Sequence, residues 1–145
     1  MTPEDFLSEK EEKRIIEVIK IAEKNTSGEI RVHLESNKQK PSMQRAWEVF
    51  KHIGMQNTKE DNGVLFYVDI IHNVFTVIGD KGIDKVVPSD FWVSIKDQVI
   101  NHFKNEEFAD GLIAGITEVG YKLKAYFPYQ SDDINELPDE ISKNL

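Results

Sequence analysis

Glu29, Asp61, Asn62, Asp80 and Asp84 offer side-chain oxygens from three separate stretches of the sequence. These are Gly28-Glu29, Asp61-Asn62-Gly63 and Gly79-Asp80-Lys81-Gly82-Ile83-Asp84. Carboxylates gathered in one place repel each other unless a cation sits between them, and a divalent metal is the usual solution. Gly63, Gly79 and Gly82 would let backbone carbonyls turn inward as further ligands. Calcium accepts about six to eight oxygens in irregular loops, whereas magnesium demands tighter octahedral geometry and keeps its waters, so calcium is favoured over magnesium. No histidine lies in these loops, which argues against zinc. Asp80-x-Gly82-x-Asp84 looks like the opening of an EF-hand loop, but the rest of that loop is missing. The competing reading is plain turn chemistry, for which Asp-Asn-Gly and Asp-Lys-Gly are ordinary sequences.

The elements around these stretches decide whether they meet. Ser8-Glu9-Lys10-Glu11 is a capping-box pattern that opens a helix, with Ile15, Val18, Ile19 and Ala22 on its buried face. Glu29 to Glu35 alternates, with Ile30, Val32 and Leu34 on one side and Arg31, His33 and Glu35 on a wetter side, as in a strand. Met43, Ala46, Trp47, Phe50 and Ile53 recur at helical spacing, and Gly54 is a natural stop. Val64 to Val68 and Val74 to Ile78 form a hairpin, the first strand apolar on both faces as a central strand should be. Ser89 or Asp90 is expected to cap a helix carrying Phe91, Trp92, Ile95, Val99 and Phe103. A last helix runs from about Asp110 to Tyr126, weakened by Gly111, Gly115 and Gly120 but with glycines spaced for close packing.

The strand-helix-strand crossover makes the first two strands parallel. Glu29 and Asp61 therefore start at the same sheet edge, and the hairpin returns Asp80 to it. The expected fold class is α/β: a three-layer α/β/α sandwich with a small mixed β-sheet containing one hairpin. Residues 1–128 form the expected single domain. Residues 129–145 form an acidic tail in which Ile134 and Leu137 are isolated apolar residues, so it is either disordered or a short docking segment.

With 145 residues, the chain can bury one real core. Cysteine is absent, which excludes disulfides, zinc thiolate sites and thiol nucleophiles. The net charge of −8 comes without a basic stripe, so nucleic-acid binding is not expected. No apolar run approaches a transmembrane segment, and Met1 to Lys13 lacks the pattern of a signal peptide. The expectation is a cytoplasmic monomer, with a protein partner left open. His33, His52, His72 and His102 share no ligand spacing, and each is expected to be an ordinary polar or half-buried side chain. Ile70 and Ile71 in the hairpin turn would form a contact patch if both were exposed, but docking under a neighbouring loop is the favoured reading.

Several stretches resemble one known family. Ser27-Gly28-Glu29-Ile30-Arg31-Val32 looks like the first-strand motif of the TPM domain, and Asn62-Gly63-Val64-Leu65 looks like its second-strand motif. Gly79 to Asp84 with Val87-Pro88 is similar to its glycine-rich loop. Phe103, Phe108, Gly111, Leu112, Gly115 and Ile116 resemble its C-terminal helical pattern. The match covers about Phe6 to Phe127. The resemblance implies an α/β/α sandwich with divalent metal held by acidic loops at one sheet edge, and an acid phosphatase activity described for plant relatives. Many members of the family carry a signal peptide and membrane anchor, which this chain does not show.

Nucleophile elbows, P-loops and Cys-based phosphatase loops are missing from the sequence. A phosphatase here would use metal-activated water or an Asp nucleophile, with Asp61 and Asp80 on the metal and Asp84 as base. Only Lys81 and Lys85 lie nearby to clamp a phosphate. The favoured reading is a regulatory or interaction domain whose acidic loops are joined by a divalent metal. Metal-dependent acid phosphatase is the alternative, and a scaffold whose turns bind nothing is the third.

Overall fold

A computed structural model of the chain describes residues 2–37, 40–129 and 139–144. Asp132, Asp133, Ile134, Glu136 and Leu137 of the acidic tail lie outside the described residues. Helix α1 (Pro3–Phe6) is a single turn. Ser8 then starts α2 (Glu9–Glu23) with a complete capping box: the Glu11 N–H donates to Ser8 Oγ at 3.1 Å, and the Ser8 N–H donates to Glu11 Oε1 at 2.8 Å. Ile15, Ile19 and Ala22 form its buried face.

Strand β1 (Glu29–Glu35) leads through α3 (Ser42–His52) to β2 (Gly63–Asp69), and β3 (Val74–Gly79) closes the hairpin. Gly54, at φ 80°, ends α3 as its left-handed cap. A one-turn helix α4 (Lys81–Asp84) follows β3. Then come α5 (Val93–Lys104), α6 (Phe108–Leu123) and a two-residue strand β4 (Ser142–Lys143).

The strand order is β3-β2-β1-β4. β1 and β2 are parallel, in register from Glu29↔Gly63 to Glu35↔Asp69, and β2 and β3 are antiparallel, from Val64↔Gly79 to Asp69↔Val74. Helices cover both faces. On one, α2, α5 and α6 pack on Ile30, Val32, Leu34, Val64, Phe66, Val68 and Val77. On the other, Ala46, Val49 and Phe50 of α3 meet Leu65, Tyr67 and Ile78. Among the described residues this is the α/β/α arrangement expected from the sequence, with β2 apolar on both faces.

Three expectations need correction. The wetter face of β1 is not wet, because all seven residues of the strand are buried. Arg45 of α3 bonds Glu35, His33 lies between Glu35 and Ser142, and the charge of Glu140 acts on Arg31. The fifth helix begins at Val93 rather than after Ser89 or Asp90. Residues 88–92 form tight turns instead, with the Phe91 N–H donating to Pro88 O and the Val93 N–H to Asp90 O. The isoleucine pair at the hairpin turn is split: Ile70 is buried and Ile71 is half exposed.

The glycines of α6 have a packing reason. A Cβ at Gly115 would lie 2.6 Å from Val99 Cγ2 and 2.8 Å from Phe66 Cε2. At Gly120 it would lie 2.7 Å from Ala22 Cβ. The intrinsic weakness of a glycine-rich helix is thus offset by close approach to α2, α5 and β2.

Candidate functional site

Three backbone hydrogen bonds draw the acidic loops together at the edge where β1 and β2 begin. Glu29 N–H donates to Asn62 O at 3.3 Å, Asp80 N–H donates to Gly63 O at 2.9 Å, and Gly82 N–H donates to Asp61 O at 2.9 Å. All follow from topology: a parallel pair starts at one edge, and the hairpin returns there. The close approach needs Gly82, since a Cβ there would lie 2.2 Å from Glu60 O and 2.5 Å from Asp61 O.

The side chains divide the work. Asp61 sits at φ 51°, a left-handed conformation that Asp tolerates better than most residues. Its Oδ2 is 3.9 Å from Lys81 Nζ. Asn62 is buried; its N–H donates to Thr58 Oγ1 at 3.1 Å and its Nδ2 to Ser27 Oγ at 3.2 Å. Asp80 caps α4, with Oδ1 accepting from the Lys81 N–H at 2.8 Å. Its other oxygen, Oδ2, is buried and has no hydrogen-bond partner among the described residues. A buried acceptor left unpaired is costly, and native structures normally give such an atom a partner or an ion.

Glu29 is buried, and its charge also bears on Glu23. Asp84 is exposed on the last residue of α4. The structure therefore brings the Asp61, Asn62 and Asp80 segments together and begins Glu29 beside them, while Asp84 extends toward solvent. Among the described residues no three Asp, Glu or His side chains are grouped tightly enough to hold an ion by themselves. A cation here would need the Asn62 side chain or loop carbonyls as well as carboxylates. The orphaned Asp80 oxygen fits such a group; the spread of the remaining carboxylates means the loops would tighten around it.

Ser27 and Glu60 were missed from the sequence. Ser27 Oγ donates to Glu60 Oε2 at 2.7 Å and accepts from Asn62, so this hydroxyl ties the start of β1 to the loop before β2. Ser27 N–H donates to Phe127 O at 2.9 Å, and Thr26 Oγ1 donates to the same carbonyl, which fixes the edge to the end of the α6 segment. A serine directly before Gly-Glu at a strand start was the available signal.

A second polar group lies at the opposite end of β1. Glu35 accepts from His33 Nε2 at 2.9 Å, Arg45 Nε at 2.5 Å, Arg45 Nη2 at 2.9 Å and Tyr67 OH at 2.7 Å. Burial alone would raise its carboxyl, but hydrogen bonds from His33, Arg45 and Tyr67 outweigh this and hold it at about 2. Burial and the Glu35 carboxylate push the Tyr67 phenol well above its usual range. His33, expected to be outward and ordinary, is fully buried within this group. Beside β1's outer edge, burial and a hydrogen bond with Asp139 push Glu23 up to about 10, against the N–H of Ile30 that it accepts; the Glu29 charge adds to the rise.

A family model described as TPM domain matches residues 1–122, most of the chain. The chain belongs to the TPM domain family. No curated protein matches it. Among solved structures, the BA42 protein from the psychrophilic bacterium Bizionia argentinensis is 48% identical, with a TM-score of 0.93 over 97% of each chain. The N-terminal domain of a P. gingivalis protein aligns at TM-score 0.71 and 21% identity, over 87% of this chain and 83% of that one. The N-terminal domain of cg2496 from Corynebacterium glutamicum aligns at 0.65 and 12%, over 88% and 80%. The last two likenesses concern the fold alone. In this TPM domain three of the stretches carrying the family resemblance, 27–32, 62–65 and 79–84, are joined at the acidic edge. No helix among the described residues is long and apolar enough to cross a membrane.

Proposed function

We propose that this TPM domain is a divalent-cation-binding regulatory or interaction module, and that calcium is its preferred ion. The observation that carries this reading is Asp80 Oδ2, a buried carboxylate oxygen with no hydrogen-bond partner among the described residues, at the edge where the Asp61-Asn62 loop is hydrogen-bonded to the Asp80-Gly82 loop. Asp80, Asp61, Asn62 and Glu29 would supply oxygens, with loop carbonyls completing the set. Asp84 would contribute only if α4 shifts. An oxygen-only set without histidine suits a hard cation. When bound, the ion neutralises carboxylates that otherwise repel, so loop order and any partner surface built on these loops depend on it. Lys81 faces Asp61 and so is engaged with a carboxylate rather than poised over a phosphate, which favours binding over phosphoester hydrolysis.

Calorimetric titration of chelator-treated protein with calcium tests this. Wild type should release or absorb heat with saturation and gain thermal stability, by about 2.7 kcal/mol when calcium reaches a hundred times its dissociation constant. Asp80→Asn keeps an oxygen to cap Lys81 and removes the charge from a buried group, so without calcium it should be no less stable than wild type. With calcium it should gain little. Equal stabilisation of both proteins would remove Asp80 from the site, and no heat in wild type would remove the site.

A further inference from the structure

The outer edge of β1 already carries an extended ligand, supplied by the chain itself. Residues 139–144 return to this edge, and β4 runs parallel to β1 with only two ladder positions, His33↔Ser142 and Leu34↔Lys143. Each successive residue meets a different feature. Ile141 packs on the main core. Ser142 Oγ lies 2.8 Å from His33 Nδ1. Lys143 Nζ lies 2.9 Å from Glu12 Oε2 on α2. The Asn144 N–H donates to Leu34 O at 3.1 Å. On its other side His33 Nε2 lies 2.9 Å from Glu35 Oε1, so the ring links the Ser142 hydroxyl to the Glu35 carboxylate.

This is the make-up of a strand-addition site, with main-chain bonds for affinity and side-chain subsites for specificity. The edge is also not fully used. Toward its start, the Ile30 N–H donates to the Glu23 carboxyl at 2.9 Å and not to a strand. A longer strand could take up ladder positions that the resident two-residue strand leaves to side chains.

We propose that the outer edge of β1, with Glu12 and His33, is a docking groove for an extended segment of a partner protein in which an aliphatic, a hydroxyl-bearing and a basic residue follow one another, and that residues 139–144 are its resident competitor. The chemistry of the partner is read from the seated segment: Ile in the core, Ser on the imidazole, Lys on a carboxylate. The resident belongs to the same chain, so its seating is intramolecular, and effective concentrations for such events reach the millimolar range. A free peptide of the same sequence must therefore compete at millimolar levels, and weakening the resident should open the groove to much lower concentrations.

The test uses the full chain, isotope-labelled, and a synthetic peptide copying residues 139–144. The Lys143→Glu chain should bind the peptide at least tenfold more tightly than wild type, with amide shifts centred on His33 and Leu34. A peptide with Glu in place of its Lys should bind that chain at least tenfold more weakly, and a Glu12→Lys chain should reverse the preference. Absence of shifts at His33 and Leu34 with millimolar peptide, or equal binding of the Lys and Glu peptides, overturns the proposal. Should Lys143→Glu not fold, wild type at several millimolar peptide provides the same reading, because displacement must move the Asn144 amide signal. A concentration-dependent doubling of mass without any response to peptide would overturn it in favour of strand exchange between copies of this chain.

Discussion

Glu35→Gln is expected to destabilise the domain by about 3–5 kcal/mol, the cost of breaking a buried ion pair by removing one partner. Glu35 is 4% exposed and accepts hydrogen bonds from His33, Arg45 and Tyr67. A glutamine keeps the shape but presents an amide nitrogen where one of these donors points, and it leaves the half-buried Arg45 without its carboxylate. The effect should depend on pH in one direction. The folded carboxyl is held at about 2 against an ordinary value of 4.5. Its contribution is therefore fully present above about pH 4.5 and fades as pH falls toward 2. A difference of roughly 2.5 pKa values corresponds to about 3 kcal/mol. Urea unfolding at pH 7 and near pH 2.5 checks this: the gap between wild type and Glu35→Gln should shrink on acidification. A gap that is small at pH 7, or unchanged in acid, would mean the network does not hold β1, β2 and α3 together in this way.

Gly82→Ala should cost about 3 kcal/mol. The added methyl would meet two backbone carbonyls, Glu60 O at 2.2 Å and Asp61 O at 2.5 Å, and neither can swing aside as a side-chain tip could. Relief requires the two loops to part, which also gives up the Gly82 N–H bond to Asp61 O. Overpacking costs about 1–3 kcal/mol, and a lost backbone hydrogen bond about 1 more. Since the same separation pulls Asp61 away from Asp80, the variant should lose its thermal response to calcium as well. Chemical denaturation with and without calcium measures both. A variant as stable as wild type would show that α4 does not pack against the Asp61 loop.

The sequence made some of this legible, for identifiable reasons. The periodicity of Ile15, Val18, Ile19 and Ala22 and the Ser8 capping box locate α2 because both are local signals. The parallel start of β1 and β2, and the return of Asp80 to their edge, follow from connection rules that depend only on element order. What stayed hidden depends on contacts between distant segments. His33 and Glu35 read as a solvated strand face because alternation reports polarity, not coverage; the coverage comes from distant segments, with Arg45 of α3 on Glu35 and Ser142 of β4 on His33. Ser27 and Glu60 carry no local signal of their pairing, because their hydrogen bond spans 33 positions. Lys143 has its partner at Glu12, 131 positions away, which no local pattern reports. At the acidic edge the segments named from the sequence do meet, but no local pattern reports that Asp84 faces solvent or that one Asp80 oxygen is buried with no hydrogen-bond partner among the described residues.

The central claim is that the three acidic segments act together on one cation. Backbone amide shifts, followed by NMR while calcium is added to chelator-treated protein, test it most directly. Saturating changes should concentrate at residues 27–29, 60–63 and 79–84, share a single dissociation constant and disappear in Asp80→Asn. Shifts scattered over the acidic surface without saturation, or a saturating set that leaves Asp61 and Asp80 unmoved, would contradict it.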